Sequence, residues 1–488
     1  MKNKKLLVKI LCLLMCFVLL MLVACTNINN TDDGSGDNTN TGDNIGTGDN
    51  TGNGDNTGNG DNTGNGDNTG SGDNTGTDDN TGTGDNTGTG DNTGNGDNTG
   101  NGDNTEAQLP DTKDWIDVTK YNQGDALDAY LAPIWSTREV YDETVVIVGN
   151  EGEAKLLYEP NGQKLVVRNY TLNKTYVEGV DYVVEGRTIK RIKGGTLPYF
   201  TRDEYFLTSL PNTPGYYTIR LNKDECEFEF DEDRYIVFGE QDTLTRTHYI
   251  TVSYTTDEVW QGATPTDQSA KTSRFVNKLK SGEETTIMFY GDSITVGANA
   301  SGTEHGGSIN PYLPDYPTLI KHWLEKRYNT TVNVLNESQG AWKAANGLAN
   351  FDSKVLVHAH NIDLLVLAFG MNDRDTDPKQ FQNTIRQMVN GYLAANPDGT
   401  VVLVSTMNPN RQSTLILNQP YFEQKLWEIA DRNGSVVVAE VNSMFASFED
   451  TGKRSRDWLA NNCKHPNDFG VRVYAQVILK TILGDEFA

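Results

Sequence analysis

Ser293 lies where a hydrophobic run ends abruptly, in the stretch FYGDSITVG at residues 289 to 297. A serine hydroxyl is a weak nucleophile until a base takes its proton, and histidine is suited to that task near neutral pH. Asp and Ser are also good helix caps, so Gly291-Asp292-Ser293 taken alone equally fits the start of a helix. Acyl-transfer chemistry at Ser293 therefore requires a base and oxyanion donors from elsewhere in the chain.

The elements that would position such groups follow from the pattern of residues 282–488. Apolar runs typical of strands buried on both faces alternate there with helical patterns, which predicts an α/β fold with a doubly wound parallel sheet. Ligands of such sheets bind at the carboxyl ends of the strands. Four polar stretches lie at those ends or before the last helix: Gly291 to Ser293, Asn336 to Gly340, Gly370 to Asp373 and Cys463 to Asp468.

In this order, the four stretches resemble the blocks of the SGNH (GDSL) hydrolase family over about residues 283 to 485. The resemblance implies a flavodoxin-like sheet, with Ser293 as the nucleophile and His465 as the base. It also implies an oxyanion hole formed by the backbone N–H groups of Ser293 and Gly340 and the side-chain amide of Asn372. Backbone and amide donors fixed in advance are what a developing oxyanion needs.

One residue departs from the family pattern, which usually has Asp three residues before the histidine. Asn462 occupies that position here, and a neutral amide cannot stabilise an imidazolium as a carboxylate does. Three explanations stay open: a Ser–His dyad whose histidine is oriented by a backbone carbonyl, a substitute carboxylate such as Asp373 or Asp468, or an inactive site. We favour the dyad, with Asn462 as a candidate for orienting His465, because the other blocks are intact.

Other side chains near these blocks have weaker indications. Trp342 and His305 are candidates for the border of a substrate pocket, although packing roles fit both equally well. No nucleotide motif or metal-ligand pattern is present, so we expect neither a cofactor nor a metal. The low count of cysteines excludes a disulfide framework.

Residues 106–262 contain short runs rich in Val, Ile, Tyr and Thr, separated by turn signals. This pattern predicts an all-β sandwich domain, whose aromatic residues could serve as a glycan-binding face. Residues 263–281 are polar and read as a connector that ends in a short helix. The layout is similar to that of carbohydrate esterases that deacetylate polysaccharides such as xylan, which implies an acylated polysaccharide as the substrate.

The amino-terminal segments predict export and anchoring. Residues 1–24 have a basic start and an apolar core typical of a signal peptide, and LVAC at residues 22 to 25 resembles the lipobox of bacterial lipoproteins, with Cys25 lipidated. The rest of residues 25–105 consists largely of a six-residue unit close to GDNTGN with almost no apolar residue, which predicts a disordered linker. We therefore expect a cell-surface lipoprotein held to a membrane.

Charge argues against one class of partner. The chain has a formal net charge of −26 and contains no Lys/Arg run that would suit a phosphate backbone, so nucleic acid is not expected as a partner. The rival to an esterase is a catalytically inactive glycan-binding lipoprotein, with Asn462 as the trace of lost catalysis.

Overall fold

The computed structural model describes residues 115–208, 216–239, 246–303 and 308–487, together with seven short strands between residues 44 and 82. Its largest sheet is parallel and has five strands, in the spatial order β12-β11-β13-β14-β15. Numbered in chain order after the repeat segment, these strands are β11 Thr285–Gly291, β12 Val332–Asn336, β13 Leu364–Ala368, β14 Thr400–Val404 and β15 Val436–Ala439. The second strand along the chain, β12, forms the edge of the sheet beside the first strand, β11, and the other three follow on the opposite side of β11. This is the flavodoxin-like strand order, so the predicted fold class is confirmed.

Helices cover the faces of this sheet, as the alternating pattern predicted. Those of the carboxyl-terminal half are α3 Ser269–Lys280, α4 Ser293–Val296, α5 Tyr316–Tyr328, α6 Ala344–Lys354, α7 Pro378–Ala395, α8 Phe422–Ala430, α9 Val441–Asp450 and α10 Asp468–Leu483. The helix predicted at the end of the connector is α3. It buries Phe275, Val276 and Leu279 in the core that contains the sheet, so it belongs structurally to the α/β part of the chain.

The region before α3 is rich in antiparallel strands. One sheet has the order β4-β3-β10-β1, a second β5-β6-β2 and a third β7-β9-β8. The strands are β1 Glu139–Val146, β2 Glu153–Lys155, β3 Leu165–Asn169, β4 Thr175–Tyr176, β5 Tyr182–Glu185, β6 Thr188–Arg191, β7 Phe206–Leu207, β8 Tyr216–Arg220, β9 Tyr235–Gly239 and β10 Tyr249–Thr255, and two short helices, α1 Ala126–Leu131 and α2 Arg202–Tyr205, accompany them. The predicted β character is confirmed, but three small sheets stand where we expected a two-sheet sandwich.

The β-rich region and the α/β region form one compact unit, Gln108–Ala488, with a shared hydrophobic core. Helix α10 lies in this core and is buried from Phe469 to Leu483, polar residues included. Its Gln476 donates a hydrogen bond to the Ala132 carbonyl at 2.7 Å, and its Arg472 lies over the ring of Tyr130, 4.9 Å from the ring centre. The β-rich region therefore covers the helix that follows His465, which explains why the two regions do not separate.

The repeat segment has short parallel strands in which equivalent positions of the six-residue unit pair. Asn44 aligns with Asn62, and Asn62 with Asn80, so the register shift is 18 residues, or three six-residue repeats. The strands are Asn44–Thr47, Asn50–Gly52, Asn56–Gly58, Asn62–Asn65, Asn68–Gly70, Asn74–Gly76 and Asn80–Gly82. The sequence predicted a disordered linker, whereas short paired strands are present at these positions. Repeats in register can pair through the main chain without apolar side chains. The linker role stays a prediction.

Within the described residues, no helix combines the length and the apolar character needed to cross a lipid bilayer. Residues 1–24 and Cys25 lie outside the described residues, so the predicted signal peptide and lipid attachment stay predictions.

Candidate active site

Ser293 is the first residue of α4, directly after the carboxyl end of β11. The side chain of Asp292 caps this short helix and accepts a hydrogen bond from the Ile294 N–H at 3.0 Å. Gly297 ends the helix in the left-handed conformation, with φ of +89°, after a single turn. Ser293 is therefore both at a helix start and at the strand end where the sheet places ligands, so the two interpretations of the sequence are compatible.

His465 lies in a loop that one asparagine side chain holds in shape. The Asn461 Oδ1 accepts hydrogen bonds from the backbone N–H groups of Cys463, Lys464 and His465 at 2.9 to 3.1 Å. The His465 carbonyl accepts one from the Ala460 N–H at 2.8 Å. Two residues later, Asn467 caps α10. These contacts fix the backbone of His465 independently of the contacts that its ring makes.

The structure brings the predicted nucleophile and base together. Ser293 Oγ lies 2.8 Å from His465 Nε2, and the two residues are 8% and 7% exposed. On the other side of the ring, His465 Nδ1 lies 2.6 Å from Asn299 Oδ1. An amide oxygen only accepts hydrogen bonds, so Nδ1 carries the proton and Nε2 is free to accept the Ser293 proton. This is the tautomer that a general base requires.

Asn299, and not Asn462, therefore orients His465. The Asn462 Oδ1 accepts hydrogen bonds from the Tyr205 hydroxyl at 2.9 Å and from the Asn410 amide at 3.0 Å. The substitute carboxylates are also committed elsewhere: Asp373 accepts from the Ala344 N–H and Asp468 from the Ser301 N–H. The candidate role of Asn462 is corrected, because its side-chain oxygen bonds Tyr205 and Asn410, whereas His465 Nδ1 lies against Asn299.

The three predicted oxyanion donors, which belong to Ser293, Gly340 and Asn372, have different surroundings. A side-chain Cβ added at Gly340 would lie 4.0 Å from the Ser293 Cβ, so a side chain there would project towards the reacting atoms. Across the described parts of the chain, no protein group takes the backbone N–H of Ser293 or Gly340. The Asn372 amide donates one hydrogen to the Trp342 carbonyl at 3.1 Å, which leaves the second N–H for a ligand.

Burial sets the protonation of the base. Desolvation, with a smaller contribution from the Lys464 ammonium, lowers the pKa of His465 to about 3. The imidazole is therefore neutral at neutral pH. The same Lys464 lies 3.5 Å from Asn372 Oδ1, so a cation stands beside the proposed oxyanion donor.

Two carboxyl groups near the site have raised pKa values, in contrast to the lowered pKa of His465. Burial raises the pKa of Asp292 to about 7, and the charge of Asp373 adds to the effect. Burial likewise raises the pKa of Asp373 to about 6. Both carboxylates accept backbone hydrogen bonds, so their roles are to hold the loops around Ser293 rather than to contact His465.

The pocket candidates have different outcomes. The half-buried Trp342 ring packs edge-on against Tyr290 at 6.1 Å, and its backbone carbonyl orients Asn372. His305 lies outside the described residues. In the described ranges, no cluster of three His, Cys, Asp or Glu residues could hold a metal ion, and neither Cys226 nor Cys463 takes part in a disulfide there.

Sequence reasoning missed Asn299, Asn461 and Lys464. Asn299 has a left-handed backbone, with φ of +67°, which asparagine adopts more readily than most residues. It lies only six residues after Ser293, in a loop with no motif of its own. The loop contacts that bring its amide to His465 are long-range and leave no local signal.

Comparison with known proteins finds one similar family. Residues 289–473 match the model of the GDSL-like Lipase/Acylhydrolase family. The family resemblance of the four polar blocks is thereby confirmed for this stretch, which we call the GDSL-like region. No curated protein sequence matches the chain.

Solved structures include similar esterases. A two-domain esterase (CEX) active on acetylated mannans is 20% identical, with 46% of this chain and 54% of that chain covered and a TM-score of 0.36. Axe2, an acetylxylan esterase from Geobacillus stearothermophilus, is 18% identical, with 41% and 94% covered and a TM-score of 0.33. The chain thus spans about half the length of the two-domain esterase. At these scores the similarities carry no argument about substrate.

Proposed function

We propose that the protein is a serine carboxylic-ester hydrolase that uses Ser293 and His465. The observation that carries the proposal is the 2.8 Å contact between Ser293 Oγ and His465 Nε2, with the opposite ring nitrogen held by Asn299. A nucleophile, a neutral base and an orienting group in hydrogen-bond reach are the parts that acyl transfer through serine needs.

The reaction would run in two halves. Ser293 Oγ attacks the ester carbonyl while His465 Nε2 takes the hydroxyl proton, and the oxyanion is stabilised by the N–H groups of Ser293, Gly340 and Asn372. The C–O bond to the alcohol then breaks, and His465 returns the proton to the leaving alkoxide. Water, activated by His465, attacks the acyl-enzyme and releases the carboxylic acid together with free Ser293.

The proposed substrate is an acetyl or other small acyl ester on an extracellular polysaccharide. The support is the amino-terminal sequence, because a lipid anchor at Cys25 and a long polar linker would present the enzyme to a polymer outside the cell. Cell-surface location is part of the same proposal. A glycan-binding role of the β-rich region is a further proposal, motivated by its aromatic residues.

The rival proposal, an inactive glycan-binding lipoprotein, rested on the loss of the acid at Asn462. Asn299 weakens that argument, since it supplies an acceptor for His465 Nδ1 from another position. The esterase proposal is therefore the one that the described contacts favour.

The test is acetate release by the full chain from acetylated xylan and from an aryl acetate. We expect release by the parent and by Ser273→Ala, a change of an exposed serine on α3, but not by Ser293→Ala. Release from the aryl ester alone would support the esterase and argue against the polysaccharide. Equal release by the parent and the Ser293→Ala variant would contradict the assignment of the nucleophile.

A further inference from the structure

The β-rich region reaches the catalytic histidine through one buried arginine. Arg246 begins the short helical turn Arg246–His248 directly before β10 and is 4% exposed. Its Nη2 donates a hydrogen bond to the backbone carbonyl of Asn299 at 2.8 Å. Asn299 is the residue whose side chain orients His465, so Arg246 is two contacts away from the base.

The contact falls where the backbone needs support. Asn299 has a positive φ, a conformation that costs free energy for any residue other than glycine and persists only when its surroundings fix it. A small rotation of this peptide would move Oδ1 away from His465 Nδ1. A charged donor on the carbonyl of the same residue opposes that rotation.

A second residue of the same segment holds the loop of the base. The Tyr249 hydroxyl, which has one proton to donate, lies within hydrogen-bond distance of the carbonyls of Leu459 and Ala460, the latter at 2.7 Å. The Ala460 N–H in turn binds the His465 carbonyl. The first residue of β10 and the turn before it therefore contact both loops that meet at the imidazole.

The charge of Arg246 is matched on the α/β side. Burial raises the pKa of Asp468, and the positive charge of Arg246 opposes this shift. Asp468 also accepts from the Ser301 N–H at 2.8 Å, in the same loop as Asn299. A cavity lined by Arg246, Asn299, Asp468 and Tyr249 lies at this junction. If the arginine side chain were shortened, the space it leaves would therefore join this cavity, and no neighbouring side chain would take over its contact.

We propose that Arg246 is a positioning residue for His465 and acts through Asn299. The β-rich region is then part of the catalytic apparatus rather than a detachable accessory domain. The inference rests on the proposed esterase function, since it assigns to Arg246 an effect on the base of that reaction. Arg246 itself is not placed against the substrate.

Kinetics of the full chain test the proposal with an aryl acetate. We expect Arg246→Met to lower kcat about 10- to 100-fold with KM within about threefold, because positioning of the base matters most in the transition state. Arg246→Lys keeps a cationic donor, so its kcat should fall less than that of Arg246→Met. If the methionine variant does not fold, the kcat of the lysine variant is compared with that of the parent instead. The matched control is Arg191→Met, which removes a buried arginine that also donates to backbone carbonyls, and which should keep kcat.

A double-mutant cycle separates positioning from general stability. If Arg246 acts through Asn299, the double variant Arg246→Met/Asn299→Ala should have the kcat of Asn299→Ala alone, within about threefold. Effects that multiply would overturn the proposal, as would a kcat of Arg246→Met equal to that of Arg191→Met.

Imidazole nitrogen resonances of ¹⁵N-histidine-labelled full chain give a readout that needs no turnover. The chain has six histidines, and His465→Gln assigns the resonances of interest. We expect a single Nδ1–H tautomer of His465 in the parent and in Arg191→Met, and a mixture in Arg246→Met. An unchanged tautomer would overturn the positioning role even if the parent hydrolysed no ester, whereas a parent that lacks activity but shows the tautomer change would contradict only the proposed function.

Discussion

Asn299 supplies the hydrogen-bond acceptor for which serine hydrolases commonly use a carboxylate. Its Oδ1 holds the proton on His465 Nδ1 and leaves Nε2 to Ser293 Oγ, the proposed nucleophile. We expect Asn299→Ala to lower kcat about 100-fold, because the imidazole would lose its tautomer and orientation. Steady-state kinetics with an aryl acetate measure the effect. The control is Asn396→Ala, at the C-cap of α7, which removes side-chain hydrogen bonds to two backbone carbonyls without a contact to His465. An equal loss in both variants would refute the assignment.

The pH dependence of kcat/KM follows from the lowered pKa of His465. Its pKa of about 3 means that the base stays deprotonated down to pH 5, so kcat/KM should have no acid limb near pH 6.5. A carboxylate beside Nδ1 would favour the imidazolium, so Asn299→Asp should raise the pKa of His465 and move the acid limb to higher pH.

Asn462→Asp is the matched control for this pH shift. Both asparagines are buried with a positive φ, but Asn462 bonds Tyr205 and Asn410. The acid limb should therefore move in Asn299→Asp and stay in place in Asn462→Asp. The reverse pattern in kcat/KM profiles would show that Asn462 is the orienting residue after all.

At the scale of elements, α4 begins with a carboxylate that burial destabilises. The pKa of Asp292 is raised from 3.8 to about 7, so the folded state binds a proton more readily than the unfolded state. Its contribution to folding stability is thus fully present below about pH 4 and is lost as pH rises to about 7. We expect Asp292→Asn, which keeps the capping oxygen, to raise the melting temperature more at pH 8 than at pH 4.

Calorimetry at the two pH values measures this difference. Asp315→Asn is a control for the loss of an N-cap carboxylate at α5, where the pKa is also raised by burial but to a smaller extent. A gain for Asp292→Asn that is the same at both pH values would contradict the assigned protonation.

The elements of the GDSL-like region were predictable because their signals are local. Strand β13 is five consecutive buried apolar residues, and α5 begins at the capped Pro-containing turn that the sequence shows. The polar residues at strand ends follow from the same reasoning. The orienting role of Asn299 was not predictable, since it depends on a contact across 166 positions.

At the scale of the whole molecule, a buried ion pair joins the two regions. Lys453 Nζ lies 2.7 Å from Glu143 Oε1, and both side chains are fully buried. The Glu143 carboxylate also accepts hydrogen bonds from the Leu157 N–H and the Tyr254 hydroxyl. We expect Lys453→Met to lower the free energy of unfolding by about 3–5 kcal/mol, because it leaves a buried charge without a partner.

Urea unfolding of the full chain checks this prediction and the single unit together. Far-UV circular dichroism and tryptophan fluorescence should report one coincident transition of residues 108–488, since Trp135 and Trp458 lie in the two regions. Adding Glu143→Gln to Lys453→Met should recover part of the loss, because it removes the unpaired charge. Two separate transitions would instead support independent domains.

The sequence could not predict this union of the two regions. The change from alternating strands to an α/β pattern near residue 263 is real, and it correctly separates two kinds of local structure. Burial of α10 on both sides is a tertiary property, and the spacing of its polar residues Arg472, Gln476 and Lys480, one every four positions, is typical of an exposed helix face. Contacts with Tyr130 and the Ala132 carbonyl explain why Arg472 and Gln476 are inside, and Lys480 pairs with Asp485.

Covalent labelling of the full chain by a fluorophosphonate, followed by peptide mass analysis, tests directly whether His465 activates Ser293. We expect one adduct on Ser293, formed at least about 100-fold more slowly in His465→Ala, because the hydroxyl is nucleophilic only when the imidazole takes its proton. No adduct on Ser293, or labelling at the same rate without His465, would contradict the Ser293–His465 mechanism.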